Sequence, residues 1–332
     1  MRFFPFVGRS SLCFFLFSLL VVAVIPLRSA APVAAERHAY HGWKDALRLR
    51  NQHAEVIVVP EIGRVMSFRF LEGENVFWED RSLDGKRGDL TGNEWVNFGG
   101  DKTWPAPEAE WKNYTRYSRW MPPPGFDGEP ATATMEGNTI VLTSPIDRFY
   151  GVRAVRRIAL RPDAAVLTIT TIYERVTGSP ARIGVWVITQ FKDPVAVYLP
   201  IPANSTFPNG HFVFRDTPWP QLTARNGLIE VTRDPKANHK LGSDADRMLW
   251  VGETAMCLVD SPRVAGAEYP DRGASAEVYT NSDPKAYVEL ETLGPLSVMK
   301  PGNRIQQTNT YTLLPRTPGE NPDASARRIL RP

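Results

Sequence analysis

Residues 97–111, NFGGDKTWPAPEAEW, and residues 286–305, AYVELETLGPLSVMKPGNRI, gather the groups of this chain best able to do chemistry. In the first stretch Asn97 and Asp101 accept hydrogen bonds, Lys102 donates three, and Gly99 and Gly100 let backbone approach a ligand closely. Trp104 and Trp111 follow, and with Trp95 and Trp120 they put four of the nine tryptophans between residues 95 and 120. Sugar rings suit such a set, because their axial C–H faces stack on indole while their hydroxyls need a few fixed polar groups. A plainer reading stands beside it: a crossover loop whose aromatics, with Glu110, cap one end of a sandwich.

In the second stretch a strand places Glu289 and Glu291 on one face and Val288, Leu290 and Thr292 on the other. With the apolar set toward a core, both carboxylates point one way, into solvent or into a cleft. Two neighbouring carboxylates raise each other's proton affinity, which prepares an acid or a base near neutral pH. Paired glutamates on an open sheet are also ordinary surface chemistry. Other candidates are isolated: Gln190 in GVWVITQFKDP offers an amide to a hydroxyl, and Lys240 in PKANHKLG a second cation. His211 in FPNGHFVF and His239 beside Lys240 are loop imidazoles. No cysteine or acidic cluster completes a set with His38 and His41, so neither a metal nor another cofactor is expected.

The elements that must position these groups are strands. EVIVVPEIG, VMSFRFL, NTIVLTS, VRAVRRIAL, AVLTITTIYERV, RIGVWVITQF, AEVYTN, AYVELETL and NTYTLLP are of strand length and are bounded by Gly, Pro, Asn or Asp. Leu167, Ile169 and Ile172 set beside Thr168, Thr170 and Tyr173 give one buried and one solvated or site-facing side. A dozen or more strands without a linker or a propeller-period repeat predict an all-β, two-sheet antiparallel sandwich. Its expected span is a single domain over 36–315, followed by a loose tail over 316–332, RTPGENPDASARRILRP, which has few apolar residues.

Residues 1–35 read as a secretory signal peptide: Arg2 and Arg9, an apolar run from about Leu12 to Leu27, then small residues that offer cleavage sites. A retained anchor is the competing reading, since roughly seventeen apolar residues sit at the lower limit of a span. Three of the 39 Lys and Arg residues (Arg2, Arg9 and Arg28) fall in this leader, leaving 36 against 36 Asp and Glu. A near-neutral mature chain argues against nucleic acid as a partner. Its one remaining cysteine, Cys257 in TAMCLVDS, cannot form an internal disulfide and reads as a buried small hydrophobe.

AEVIVVPEIGRVMSFRFLEGENVFW, NFGGDKTWPAPEAEW and YVELETLGPLSVMKPGNRI together resemble a bacterial family of unknown function within the galactose mutarotase-like superfamily. The resemblance runs from about Asn51 to Leu314, with GGDK followed by WPAP as its most specific mark. It implies a β-supersandwich with a carbohydrate cleft across the concave sheet. It also implies anomer interconversion in members of known chemistry, where a glutamate in a late strand removes the anomeric hydroxyl proton and a histidine protonates the ring oxygen. Glu291 in LET matches that glutamate, with Glu289 the near alternative. The histidine has no match: the comparable stretch carries Gln190, whose amide binds a hydroxyl but delivers no proton at pH 7. His211 or His239 would have to take over from other loops. The expected protein is therefore an exported, monomeric carbohydrate-binding protein of the periplasm or the secreted fraction, with no nucleic acid and, after leader cleavage, no membrane as partner. The alternatives are an aldose epimerase with Glu291 as general base, and a structural envelope protein.

Overall fold

Alternation and β-branching give long antiparallel strands here, and two of them show why the two faces differ. Val166–Arg175, VLTITTIYER, alternates half-buried with buried residues along its length, the pattern of a strand with one face toward solvent. Ala181–Lys192, ARIGVWVITQFK, is buried on both faces at almost every position. One face meets the sheet–sheet core and the other lies beneath an aromatic cleft.

The computed structural model describes residues 1–5, 8, 33–89, 94–115 and 117–330. The expected leader, 1–35, falls for the most part outside them. Among the described residues no helix is long and apolar enough to cross a membrane.

One sheet runs, in order, through Ala34–Tyr40, Trp43–Arg50, Ala54–Val59, Arg64–Phe70, Asp101–Ala106, Ala181–Lys192, Tyr287–Leu293, Ala276–Thr280, His239–Ser243 and His211–Val213; Ser297–Met299 pairs off this path onto Ala181–Lys192. The second runs from Leu222–Arg225 through Leu228–Val231, Ala196–Pro200, Arg247–Val251, Ala255–Asp260, Arg304–Pro315, Val166–Arg175, Val152–Leu160 and Thr139–Thr143 to Thr132–Glu136. Neighbouring strands pair antiparallel, as at Trp186 to Lys192 against Leu293 to Tyr287. Apolar side chains of both sheets, among them Phe77, Phe191, Leu199, Leu290 and Tyr311, fill the space between them. Cys257 lies in this core as a free thiol, and burial pushes its proton affinity up.

The tail differs from expectation. Pro322–Ile329 is a helix capped by Asn321, whose side chain accepts from the backbone N–H of Asp323 and Ala324 at 2.9 and 3.2 Å. Asn before Pro is a helix-start pair, and the few apolar residues fall at helical spacing. Ala326 and Leu330 are thereby buried against Tyr198, Leu249 and Met256. Arg316 is also buried and donates to the Gly252 carbonyl at 2.6 Å.

Candidate functional site

Strand register builds the site. Lys102 lies opposite Ile188, Ile188 opposite Glu291, and Glu291 opposite Glu277. One pleat along, Gln190, Glu289, Tyr279 and Lys240 form a second row, and one pleat the other way Trp104 meets Trp186. Side chains alternate across a strand, so both rows share the face turned away from the sheet–sheet core, and Val288 and Leu290 take the opposite one. Glu289 and Glu291 thus face a cleft together, as the spacing predicts.

The same alternation corrects Asp101. It precedes Lys102 and projects between the sheets, fully buried, where Arg156 pairs with it and the hydroxyls of Thr189 and Tyr311 donate to Oδ2 at 2.7 and 2.8 Å. A buried carboxylate needs such partners, and it is not a ligand contact. Gly99 and Gly100 also serve the chain itself. Both have positive φ, and a Cβ on them would come within 2.1 Å of the Trp78 carbonyl and 2.5 Å of the Val65 carbonyl.

Above the two rows opens a cleft of about 650 Å³. Its walls include Trp95, Trp104, Trp120, Trp186, Phe214, Tyr279 and Tyr287. The indole N–H groups of Trp95 and Trp104 both donate to Asp127 Oδ2 at 2.9 Å, and Arg64 Nη2 donates to Asp127 Oδ1 at 2.6 Å. This buried ion pair fixes two wall residues through one carboxylate. Trp104 and Trp186 meet edge to face at 5.4 Å, an arrangement that suits aromatic quadrupoles.

Charge in the floor is distributed unequally. Lys240 Nζ sits 2.7 Å from Glu277 Oε2 and 3.0 Å from Glu291 Oε2, and over the Trp186 ring at 4.8 Å. Trp186 Nε1 donates to the same Glu291 oxygen at 2.7 Å. Lys102 Nζ is buried without a hydrogen-bond partner, 3.6 Å from Glu289 Oε1 and 4.9 Å from the Trp104 centroid. Gln190 Nε2 donates to Glu289 Oε1 at 2.9 Å, and Gln190 Oε1 is buried without a partner.

Proton affinities follow this geometry. Burial alone would lower the Lys240 ammonium, but Glu277 and Glu291 outweigh it and hold it well above its ordinary value. Burial pushes Glu277 well up, against the pull of Lys240. Burial lowers Lys102 and raises Glu289 despite their mutual attraction, so both members of that looser pair shift toward neutrality. Burial also raises Asp271, and with Glu289 it raises the Tyr279 hydroxyl to about 12.

Of the residues expected from sequence, Trp104, Trp120, Lys240, Glu289 and Glu291 line the cleft, and Lys102 and Gln190 lie beneath it. Asn97 acts one step back: its Nδ2 donates to the Tyr287 hydroxyl at 3.3 Å and its Oδ1 accepts from Gly99 N–H. Trp111 is buried behind Trp104 and Trp186 and donates to the Pro105 carbonyl. Glu110 lies off the cleft, 3.8 Å from Arg182.

Both histidines fall to strand phase. Phe212 is the residue opposite Gly242, in the row of Glu277, so His211 takes the other side, with Nδ1 3.1 Å from the Asn209 carbonyl. His239 is also among the residues lining the cleft, but its ring stacks on Trp219 at 4.8 Å and its Nε2 meets Asp234, whereas its neighbour Lys240 points inward. Sequence reading missed Trp186, Glu277, Tyr279, Tyr287, Asp127 and Asp271. A lone Glu in the apolar strand AEVYT was the one signal for Glu277.

Chains of known structure share this architecture at low sequence identity. A candidate aldose 1-epimerase of Escherichia coli K12 superposes with a TM-score of 0.54 at 14% identity, covering 81% of this chain and 98% of its own. A galactose mutarotase-like protein of Lactobacillus casei ATCC 334 gives 0.53 at 10% over 81% and 100%. One of Clostridium acetobutylicum gives 0.54 at 9% over 86% and 99%. The chain has the galactose mutarotase-like fold. No protein-family profile matches its sequence, and neither does any curated protein.

Proposed function

We propose that this chain is an exported carbohydrate-binding protein of a mutarotase-like family marked by its GGDK and WPAP segment, and that its cleft holds a mono- or oligosaccharide. The observation that carries the proposal is the pairing of fixed indole walls with a floor of charged and amide groups on one sheet face. Indole faces suit sugar C–H surfaces, and a hydroxyl, at once donor and acceptor, suits the charged groups that reach the cleft, Lys240, Glu289 and Glu291. Glu291 Oε2 already takes the Trp186 indole and the Lys240 ammonium, which suits an oriented acceptor. Among the described residues no histidine ring is turned into the floor. Calorimetric titration with a panel of neutral sugars tests this: saturable binding supports it, and its absence across the panel counts against it.

One observation favours a second reading, an aldose epimerase-type enzyme. Lys102 and Glu291 stand on the strands either side of Ile188, two strand spacings or roughly 10 Å apart at the backbone, with Glu291 in the lining of the cleft and Lys102 buried beneath it. Glu291 would then take the anomeric hydroxyl proton while Lys102, lowered by burial, supplies one to the ring oxygen. NMR anomer exchange, wild type against Glu291→Gln, separates the readings. Exchange lost in the variant supports the enzyme; binding without exchange supports the binder.

A further inference from the structure

Trp120 differs from every other indole of the wall. It is 49% exposed, whereas Trp104 and Trp186 are each 4% exposed and Trp95 is half-buried. Its orientation is nevertheless fixed, because Nε1 donates to Glu108 Oε1 at 2.7 Å and the ring meets Trp95 at 5.3 Å and 86°. Beyond it lies a second depression of about 280 Å³, which shares Glu108, Ala109 and Trp120 with the main cleft and continues along Lys112, Thr115 and Tyr117. An ordered tryptophan left in solvent where two concavities join presents apolar ring surface to whatever crosses between them.

We propose that the ligand is an oligosaccharide of at least two rings: one lies over the floor of Lys102, Glu289 and Glu291, and the next crosses Trp120 into the outer depression. The inference rests on the sugar-binding reading and adds to it a second subsite and a preference for chain length. Glu108 is the positioning residue, since its carboxylate sets the angle of the indole.

The test is calorimetric titration of the full chain with glucose, galactose and N-acetylglucosamine, each beside its linear oligomers of two to five rings. The expected result is that in at least one series affinity rises about tenfold, near 1.4 kcal/mol, from one ring to three. Trp120→Ala is expected to lower the affinity for the trimer by about tenfold more than that for the single ring, so that the rise disappears, and Glu108→Ala weakens the rise. Both positions are accessible to solvent, so both variants are expected to keep the wild-type circular dichroism and melting temperature. Equal affinity for one ring and for three, or a Trp120→Ala loss as large for the single ring as for the trimer, overturns the second subsite alone. No binding by any member overturns the sugar-binding reading and this inference with it.

Discussion

Lys102 Nζ lies 3.6 Å from Glu289 Oε1 and has no hydrogen-bond partner, in the same floor where Lys240 touches two carboxylates at 2.7 and 3.0 Å. Lys102 is the more deeply buried of the two, its side chain 1% exposed against 20% for Lys240, and the geometry of their partners differs as well. Close contact with two anions repays the cost of burying Lys240 as a cation, and a single distant one does not repay it for Lys102. The floor therefore combines a fixed ion cluster with a looser pair whose members both shift toward neutrality.

This contrast sets opposite outcomes for two parallel substitutions. Lys240→Met strands Glu277 and Glu291 and is expected to cost about 3–5 kcal/mol, the usual penalty for breaking a buried ion pair. Lys102→Met removes a buried amine that lacks a hydrogen bond and is expected to stay within about 1 kcal/mol of wild type, since an apolar side chain of similar volume replaces a poorly compensated charge. Urea unfolding of both variants at pH 7 checks the pair of expectations.

Glu289 makes stability depend on pH with a definite sign. Its folded proton affinity is raised above the ordinary 4.5, so between the two values the native state binds more protons than the unfolded chain. Its contribution is fully present below 4.5 and is lost as pH rises through the folded value. Glu289→Gln does not titrate, so the melting temperature of the variant minus that of wild type should increase from pH 4 to pH 7. Differential scanning calorimetry over that range measures it, and a difference that falls with pH would reverse the assignment.

Asp127 joins wall to scaffold. Asp127→Ala frees the indoles of Trp95 and Trp104 and leaves Arg64 buried without its anion, so it is expected to destabilise by about 3–5 kcal/mol and to weaken sugar binding. Asp127→Asn keeps an acceptor for the indoles and should recover more of the affinity than of the stability. Paired titration and unfolding data on both variants separate the two roles.

How far the sequence carried the reading depended on phase. The shared face of Glu289 and Glu291 was legible because both neighbours, Val288 and Leu290, are apolar. In GGDKTW no such neighbours mark the inside, so Asp101 and Lys102 looked equivalent, and only the register Val65 to Asp101 to Thr189 puts Asp101 in the core. His239 and Lys240 posed the same ambiguity in a strand. Asp127 was hidden by distance: it lies in a turn, PPPGFDGEP, and acts on indoles 23 and 32 residues away. The tail helix was obscured by its low apolar content, although Asn321–Pro322 is a start signal.

Whether a sugar lies against the indole walls is read from ¹H–¹⁵N spectra of the nine tryptophan side chains during titration with the sugar panel. Tryptophan is well placed as a reporter: the indole N–H groups of Trp104 and Trp186 belong to the cleft, whereas those of Trp43 and Trp250 donate to the Lys86 and Lys192 carbonyls outside its lining. A sugar held in the cleft gives saturable shifts for Trp104, Trp120 and Trp186, with Trp43 and Trp250 unmoved. No shift at the cleft indoles with any sugar, or equal shifts at all nine, would contradict it.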